Sequence, residues 1–261
     1  MHDFLDILAE NAKKTVESGY YKVEAVRRKV CGRYSLKESI LKCKQNPIIT
    51  EFKTSSPSQE IIAGKDVDVL GTVSAMKRGG AVGISVLTEP EYFKGSLLNF
   101  KLIRENASIP LLMKDFVVSQ VQVDTAYKIG ADIILLIQGL FDRNYCDSNI
   151  DETIKHVHSL GMEVLLEAHT EDEFRRALLS DADLIGINNR DLKTLNVDIN
   201  VTRNILRKNN QHNHIIVSES GIVEPSHIRF LRDTGAKAFL VGTAVMSVSN
   251  VEEKVRELVE A

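Results

Sequence analysis

Eight short apolar, β-branched runs recur along the 261-residue chain, at residues 47–53, 82–88, 110–116, 131–137, 163–169, 183–189, 214–220 and 238–244. Each has the length of a buried strand, and several are apolar on both faces, as parallel strands covered by helices must be. Segments with helical period lie between them. Thr170 with Glu173, and Ser249 with Glu252, read as capping boxes opening two such segments. Behind the second, Val251, Val255, Leu258 and Val259 share one face. Gly80, Gly130 and Gly161 stand just before strands, and Gly235 is placed as a helix C-terminal glycine. Strand starts spaced about 20 to 35 residues apart call for parallel pairing through right-handed crossovers. An open doubly wound sheet can also hold eight strands. Yet no G-x-G-x-x-G follows the first run, and polar residues mark nearly every strand end rather than one crevice. The pattern therefore favours an α/β fold of the closed (β/α)8 TIM-barrel type. Residues 1–46 carry the stripe Leu5, Leu8, Ala12, Val16 ending near Gly19, and read as an N-terminal helical extension. Residues 47–261 form the barrel, and no Pro-, Gly- or Ser-rich linker divides the chain, so 1–261 is expected to be a single domain.

Composition removes several classes. With 43% hydrophobic and 26% charged residues, the proportions are globular. A net charge of -3 without a cationic tract gives no reason to expect nucleic acid or an anionic membrane as partner. No apolar run approaches the ~18–20 residues of a membrane helix, and the N-terminus lacks the basic start of a signal peptide. Cys31, Cys43 and Cys146 are odd in number and show no C-x-x-C spacing, so neither a disulfide framework nor a zinc site is expected. A soluble cytoplasmic protein without a metal is the expectation; its oligomeric state is not legible. His156 and His158 diverge on a helix and read as surface, as do His212 and His214 in their polar loop. No H-E-x-x-H, G-x-S-x-G or Walker sequence is present.

In a (β/α)8 barrel the C-terminal strand ends form the active face. Charge there is costly unless paired or used. The first run ends with Glu51 and Lys53, two residues apart and hence on one side, with Phe52 facing out. Lys114 ends the third run and Glu167 the fifth; the sixth leads into Asn188, Asn189, Arg190 and Asp191. One charged end would fit a buried ion-pair network closing the barrel top. Two lysines and two glutamates from three strands point instead to an acid–base site. At runs seven and eight, Ser220-Gly221 and Gly242-Thr243 combine glycine with hydroxyls, beside Ser55-Ser56-Pro57-Ser58 from the first loop. Backbone N–H groups at such turns can approach an anion, and barrels commonly hold phosphate there. Arg190 can fork onto a carboxylate or pair with Asp191. Phe93 and Phe116 can line an aromatic slot, although each taken singly suits ordinary packing.

These residues carry a resemblance. Thr50-Glu-Phe-Lys-Thr-Ser-Ser-Pro-Ser58, Ser85 through Ser96, Met113-Lys-Asp-Phe116, Glu163 through His169, Gly186 through Leu192, Glu219-Ser-Gly-Ile222 and Leu240 through Met246 occur in the order found in indole-3-glycerol phosphate synthases. The chain resembles that family from the N-terminal helix to the eighth strand. The resemblance implies a carboxy-lyase of tryptophan biosynthesis that needs no metal or organic cofactor. Its substrate would be 1-(2-carboxyphenylamino)-1-deoxyribulose 5-phosphate, a phosphorylated, anthranilate-bearing sugar, which closes a ring and loses CO₂ and water. By position, Lys114 would be the general acid, and Glu51, Lys53 and Glu167 would carry later proton transfers. Asn188 and Arg190 would hold substrate near the departing carboxylate, and Glu219 would meet sugar hydroxyls. Ser56, Ser220, Gly221, Gly242 and Thr243 would hold phosphate, and Phe93 and Phe116 would flank the ring. Thr54 and Glu60 depart from the family's arginine and glycine in the first loop. Two other readings are a Schiff-base aldolase of the same architecture, using Lys114 or Lys53 as nucleophile, and a barrel that binds a phosphorylated ligand without catalysis.

Overall fold

A computed structural model describes residues 3–25, 34–53, 67–210 and 214–261. Each expected run contains one strand: β1 Ile48–Phe52, β2 Gly83–Leu87, β3 Leu111–Lys114, β4 Ile133–Ile137, β5 Glu163–Ala168, β6 Leu184–Asn188, β7 Ile216–Glu219 and β8 Ala238–Val241. They pair in parallel in sequence order, and β8 returns to β1 through Phe239 against Ile48, closing the barrel. The eighth strand is shorter than its apolar run. It stops at Val241, because Gly242 turns the chain into the short helix Thr243–Met246. The third likewise stops at Lys114, leaving Asp115 and Phe116 in the loop above the barrel.

The period-two alternation of the strands sorts side chains into two apolar layers. Ile48, Phe52, Ile84, Val86, Leu111, Met113, Val164, Leu166, Phe239 and Val241 point outward, where they pack with Val73, Met76, Phe100 and Phe174 of the surrounding helices. Ile49, Leu112, Ile133, Leu135, Leu165, Leu184, Val217 and Leu240 fill the interior. The same alternation places Glu51, Lys114, Glu167, Asn188 and Glu219 on the interior side, one layer above those apolar residues. Burying a Leu or Ile side chain contributes about 1.5–3 kcal/mol, so these two layers offset the desolvation of the acids above them.

Two helix starts differ from the sequence expectation. Thr170 does cap the helix Glu171–Ala177, accepting from Glu173 N–H, but Glu173 returns its carboxylate to the N–H of His169 rather than completing a box on Thr170. The C-terminal helix Val251–Val259 is capped by Asn250, not Ser249, and Glu252 pairs instead with Arg78 and Arg256. In both cases a nearby polar partner captured the glutamate. Gly130, at φ +87°, adopts the left-handed conformation that ends the helix Gln120–Ile129.

The extension covers both ends of the barrel. The helix Phe4–Glu17 buries Leu5, Leu8 and Ala12, as its stripe requires, on the side of the C-terminal strand ends. There Asp3 and Asp6 both hold Arg143, and Asn11 donates to Glu89. The helix Leu36–Lys42 closes the opposite end: Glu163, the first residue of β5, accepts from the N–H groups of Leu36 and Lys37 and from Ser35. Among the described residues no helix is long and apolar enough to cross a membrane. His156 and His158 do diverge, toward Asp124 and Asp183 respectively.

Candidate active site

A cavity of about 520 Å³ opens at the C-terminal ends of the strands. Every site residue expected from sequence lines it except Ser56, which lies outside the described residues together with Ser55, Pro57, Ser58, Thr54 and Glu60. Cys31 and His212 also fall outside them.

The floor is a network of charged groups from four strands, joined by Asn188 from a fifth. Lys53 Nζ lies 2.7 Å from Glu51 Oε1, so the pair two residues apart does share one side. Lys114 Nζ lies 2.8 Å from Glu219 Oε2 and 3.2 Å from Glu167 Oε2. Glu167 in turn contacts His169, Oε1 to Nε2 at 3.1 Å. Asn188 stands beside Glu167 and accepts the N–H of Arg190 at 3.0 Å.

Their ionisation follows from burial opposed by neighbours. Burial alone would strip the proton from Lys114, but Glu219, Glu167 and Glu51 outweigh it and hold the ammonium well above its ordinary pKa. Burial would likewise raise Glu167; Lys114, followed by His169, reverses that and keeps it well below the carboxylate range. Glu51 is also lowered, against its burial, by Lys53 and Lys114. Glu219 behaves in the opposite way. Burial, only partly offset by Lys114 and reinforced by Glu167, pushes it up to about 8. Its Oε1 is buried without a hydrogen-bonding partner among the described residues. A Cβ on Gly186 would meet that oxygen at 2.3 Å, so glycine on β6 is what leaves room for it.

Above the floor, Phe93 and Phe116 meet with ring centroids 5.6 Å apart, and Leu135 and Ile137 continue the apolar wall. The loop carrying Phe93 is tied by Glu89, which accepts the N–H groups of Glu91, Tyr92 and Phe93 at 2.8 Å each. Phe116 is set by Asp115, whose carboxylate accepts from Phe116 N–H, Tyr21 and Thr88; its burial raises it to about 6. The Arg190 guanidinium bonds the Leu195 carbonyl at 3.0 Å and makes no ion pair among the described residues, so the expected alternative of a bridge to Asp191 does not form. Burial lowers its pKa, opposed by Glu51.

At the far side, Ser220 and Gly221 turn in succession through positive φ, +67° and +81°. Asn189 fixes that turn by donating to the Ser220 carbonyl and the Ser218 hydroxyl. Gly242 packs directly on the ion pair: a Cβ there would fall 2.4 Å from Glu51 Oε1 and 2.9 Å from Lys53 Nζ.

Phe4, Leu135, Ile137, Glu89, Asn189 and His169 were not singled out from sequence. The first three carry no chemistry to mark them. Glu89 acts through backbone bonds of its own loop, while Asn189 and His169 owe their importance to fold-dependent contacts with other elements.

Acids and bases converging on one cavity at the C-terminal mouth of a parallel (β/α)8 barrel define an enzyme of the acid–base barrel class. Solved structures agree on the fold. A thiamine phosphate pyrophosphorylase from Pyrococcus furiosus superposes with a TM-score of 0.59 at 17% identity, covering 86% of this chain and 96% of that one. An N-acetylmannosamine-6-phosphate 2-epimerase from Clostridium perfringens gives 0.59 at 14% identity, covering 82% and 92%. Sequence comparison is more specific. The indole-3-glycerol phosphate synthase profile matches residues 5–258. Proteins of that name from Bacillus cereus (strain ATCC 10987) and Bacillus thuringiensis subsp. konkukian are 38% and 37% identical to the chain, each over 96% of both sequences. The chain belongs to the indole-3-glycerol phosphate synthase family.

Proposed function

We propose that the chain converts 1-(2-carboxyphenylamino)-1-deoxyribulose 5-phosphate to indole-3-glycerol phosphate, CO₂ and water. The observation carrying this reading is Lys114, an ammonium held between Glu167 and Glu219 at the base of a cavity with an aromatic wall. The anthranilate ring lies between Phe93 and Phe116, with its carboxylate toward Arg190 and Asn188. The phosphate lies against Ser220, Gly221, Gly242 and Thr243, with Ser56 closing over it. Glu219 also faces the sugar hydroxyls.

The ring carbon bearing the carboxylate attacks the ketone carbon. As that C–C bond forms, Lys114 gives a proton to the ketone oxygen, which becomes a hydroxyl. The C–CO₂ bond then breaks and its electron pair returns to the ring system. Loss of the hydroxyl as water requires one further proton in and one out, which the Glu51–Lys53 pair and Glu167 carry. Lys114, held as an ammonium by Glu219 and Glu167, is disfavoured as a Schiff-base nucleophile, since an attacking amine must be neutral. A cytoplasmic location, a single domain joining extension and barrel, and no nucleic-acid or membrane partner accompany this reading.

The test is to incubate the purified chain with the carboxyphenylamino-deoxyribulose phosphate and measure products. Equimolar CO₂ and indole-3-glycerol phosphate support it. Intact substrate, or substrate trapped on a lysine by borohydride, overturns it.

A further inference from the structure

His169 stands at the C-terminal end of β5, behind Glu167 and off the cavity wall, with its side chain only 10% exposed. Its Nε2 is 3.1 Å from Glu167 Oε1, within ion-pair distance, and is buried with no hydrogen-bond partner of regular geometry among the described residues. Its Nδ1 is 3.7 Å from Glu173 Oε2, and its own N–H donates to that same oxygen at 2.7 Å. Glu173, drawn off the helix cap, holds the His169 backbone and sets a negative charge beside its ring. Glu167 thus has a basic group at each oxygen: His169 at Oε1 and Lys114 at Oε2. Among the described residues Glu219 has one cationic partner, Lys114, and on its other side it faces the Glu167 carboxylate. The two carboxylates flanking one ammonium have unequal surroundings: His169, with Asn188, stands on the Glu167 side.

We propose that His169 is a positioning residue: an imidazolium anchored by Glu173, it keeps Glu167 ionised and aimed at Lys114, so that the proton held between the two flanking carboxylates resides on Glu219. The charged groups bearing on this arrangement are Glu167 on β5, Glu173 on the helix Glu171–Ala177, Lys114 on β3, Glu219 on β7 and Glu51 on β1. Asp142, on the neighbouring helix Gln138–Asp142, is engaged by Gln138 and Arg176 instead. Burial would lower the His169 pKa, but Glu167 and then Glu173 outweigh it and raise it to about 9, so the imidazolium persists through neutral pH. Two acids whose environments push their affinities apart divide into a proton holder and a proton acceptor. Glu219 is the holder and Glu167 the acceptor.

This inference rests on the synthase reading for its kinetic consequence, so it is tested by turnover and independently of turnover. In His169→Asn the acid limb of the kcat–pH profile moves to higher pH by about one unit, a tenfold loss of kcat on that limb, while KM stays nearly constant. Glu173→Gln moves it in the same direction by less. Without substrate, imidazole NMR of the full chain follows the seven histidines, His169 being assigned by its loss in His169→Asn. Its pKa is near 9 in the wild type and falls toward the ordinary 6.5 in Glu167→Gln. An unshifted acid limb in both variants, or a wild-type His169 that titrates at its ordinary value, overturns the proposal. A wild type that does not turn over substrate defeats the synthase reading alone, and the NMR titration still decides the His169–Glu167 link.

Discussion

Glu219 and Lys114 stand four strands apart in an eight-stranded ring, and their side chains meet across the lumen with Oε2 and Nζ 2.8 Å apart. The contact joins opposite walls of the barrel at the level where strand ends give way to loops. Glu219 nonetheless favours its protonated form, because burial outweighs the attraction of the ammonium. That has a consequence for stability. The folded-state pKa, about 8, is above the ordinary 4.5. Below 4.5 folded and unfolded chains both hold the proton and no penalty arises. Between 4.5 and about 8 the unfolded chain ionises while the folded one does not, so stability falls as pH rises, and above 8 the full penalty remains.

Glu219→Gln, which keeps the shape without the charge, therefore gains stability relative to the wild type as pH is raised from 4.5 to 8. Urea unfolding of both proteins at pH 4.5 and 8.5 measures it. A stability difference that does not change between those pH values contradicts the assignment. Activity is lost in the variant, since the residue next to Lys114 can no longer hold or release a proton.

Glu89 organises the aromatic wall from the rim of the cavity. Its carboxylate accepts three consecutive backbone N–H groups, including that of Phe93. Glu89→Ala leaves those donors unpaired, at a cost of about 1–3 kcal/mol, and lets Phe93 leave Phe116. The expected result is a KM raised by about tenfold or more with kcat changed far less. Steady-state kinetics separate the two, and a fall in kcat at constant KM would place Glu89 in the chemistry instead.

Gly242 has no tolerance for a side chain. Alanine there puts its methyl within 2.4 Å of Glu51 Oε1, so the Glu51–Lys53 pair must separate or the turn must move. Gly242→Ala is expected to retain the barrel's circular dichroism and lose kcat/KM by about 10²-fold, the scale expected when catalytic groups are displaced by about 1 Å. Full activity in the folded variant would show that the pair's geometry is dispensable.

The barrel itself was legible because its determinants are local. β-branched runs, their spacing and the two-residue alternation at Glu51 and Lys53 are all read along the chain, and the closed parallel ring follows from them. The site was legible as a set of strand ends, but its wiring was not. Sequence offers no sign that Glu219 meets Lys114 more closely than Glu167 does, since that depends on lumen diameter and on the space left by Gly186. The cap expected at Ser249 lies one residue on, at Asn250, whose side chain takes the Glu253 N–H; Thr170 caps as expected, but its box stays half made because the His169 N–H drew Glu173 away. Competition between adjacent donors and acceptors is decided by fractions of an ångström, below what residue type and spacing encode.

The central claim is that Lys114 delivers the proton on which ring closure depends. The chain contains no tryptophan, so the indole product is read against a dark background. The decisive measurement is the rise of indole fluorescence after mixing the protein with the carboxyphenylamino-deoxyribulose phosphate, with Lys114→Ala run beside it. A rising signal in the wild type that falls by about 10²–10⁴-fold in the folded variant is the expected result for loss of a general acid. Equal rates in the two proteins, or a flat trace from folded wild type with intact substrate, would contradict it.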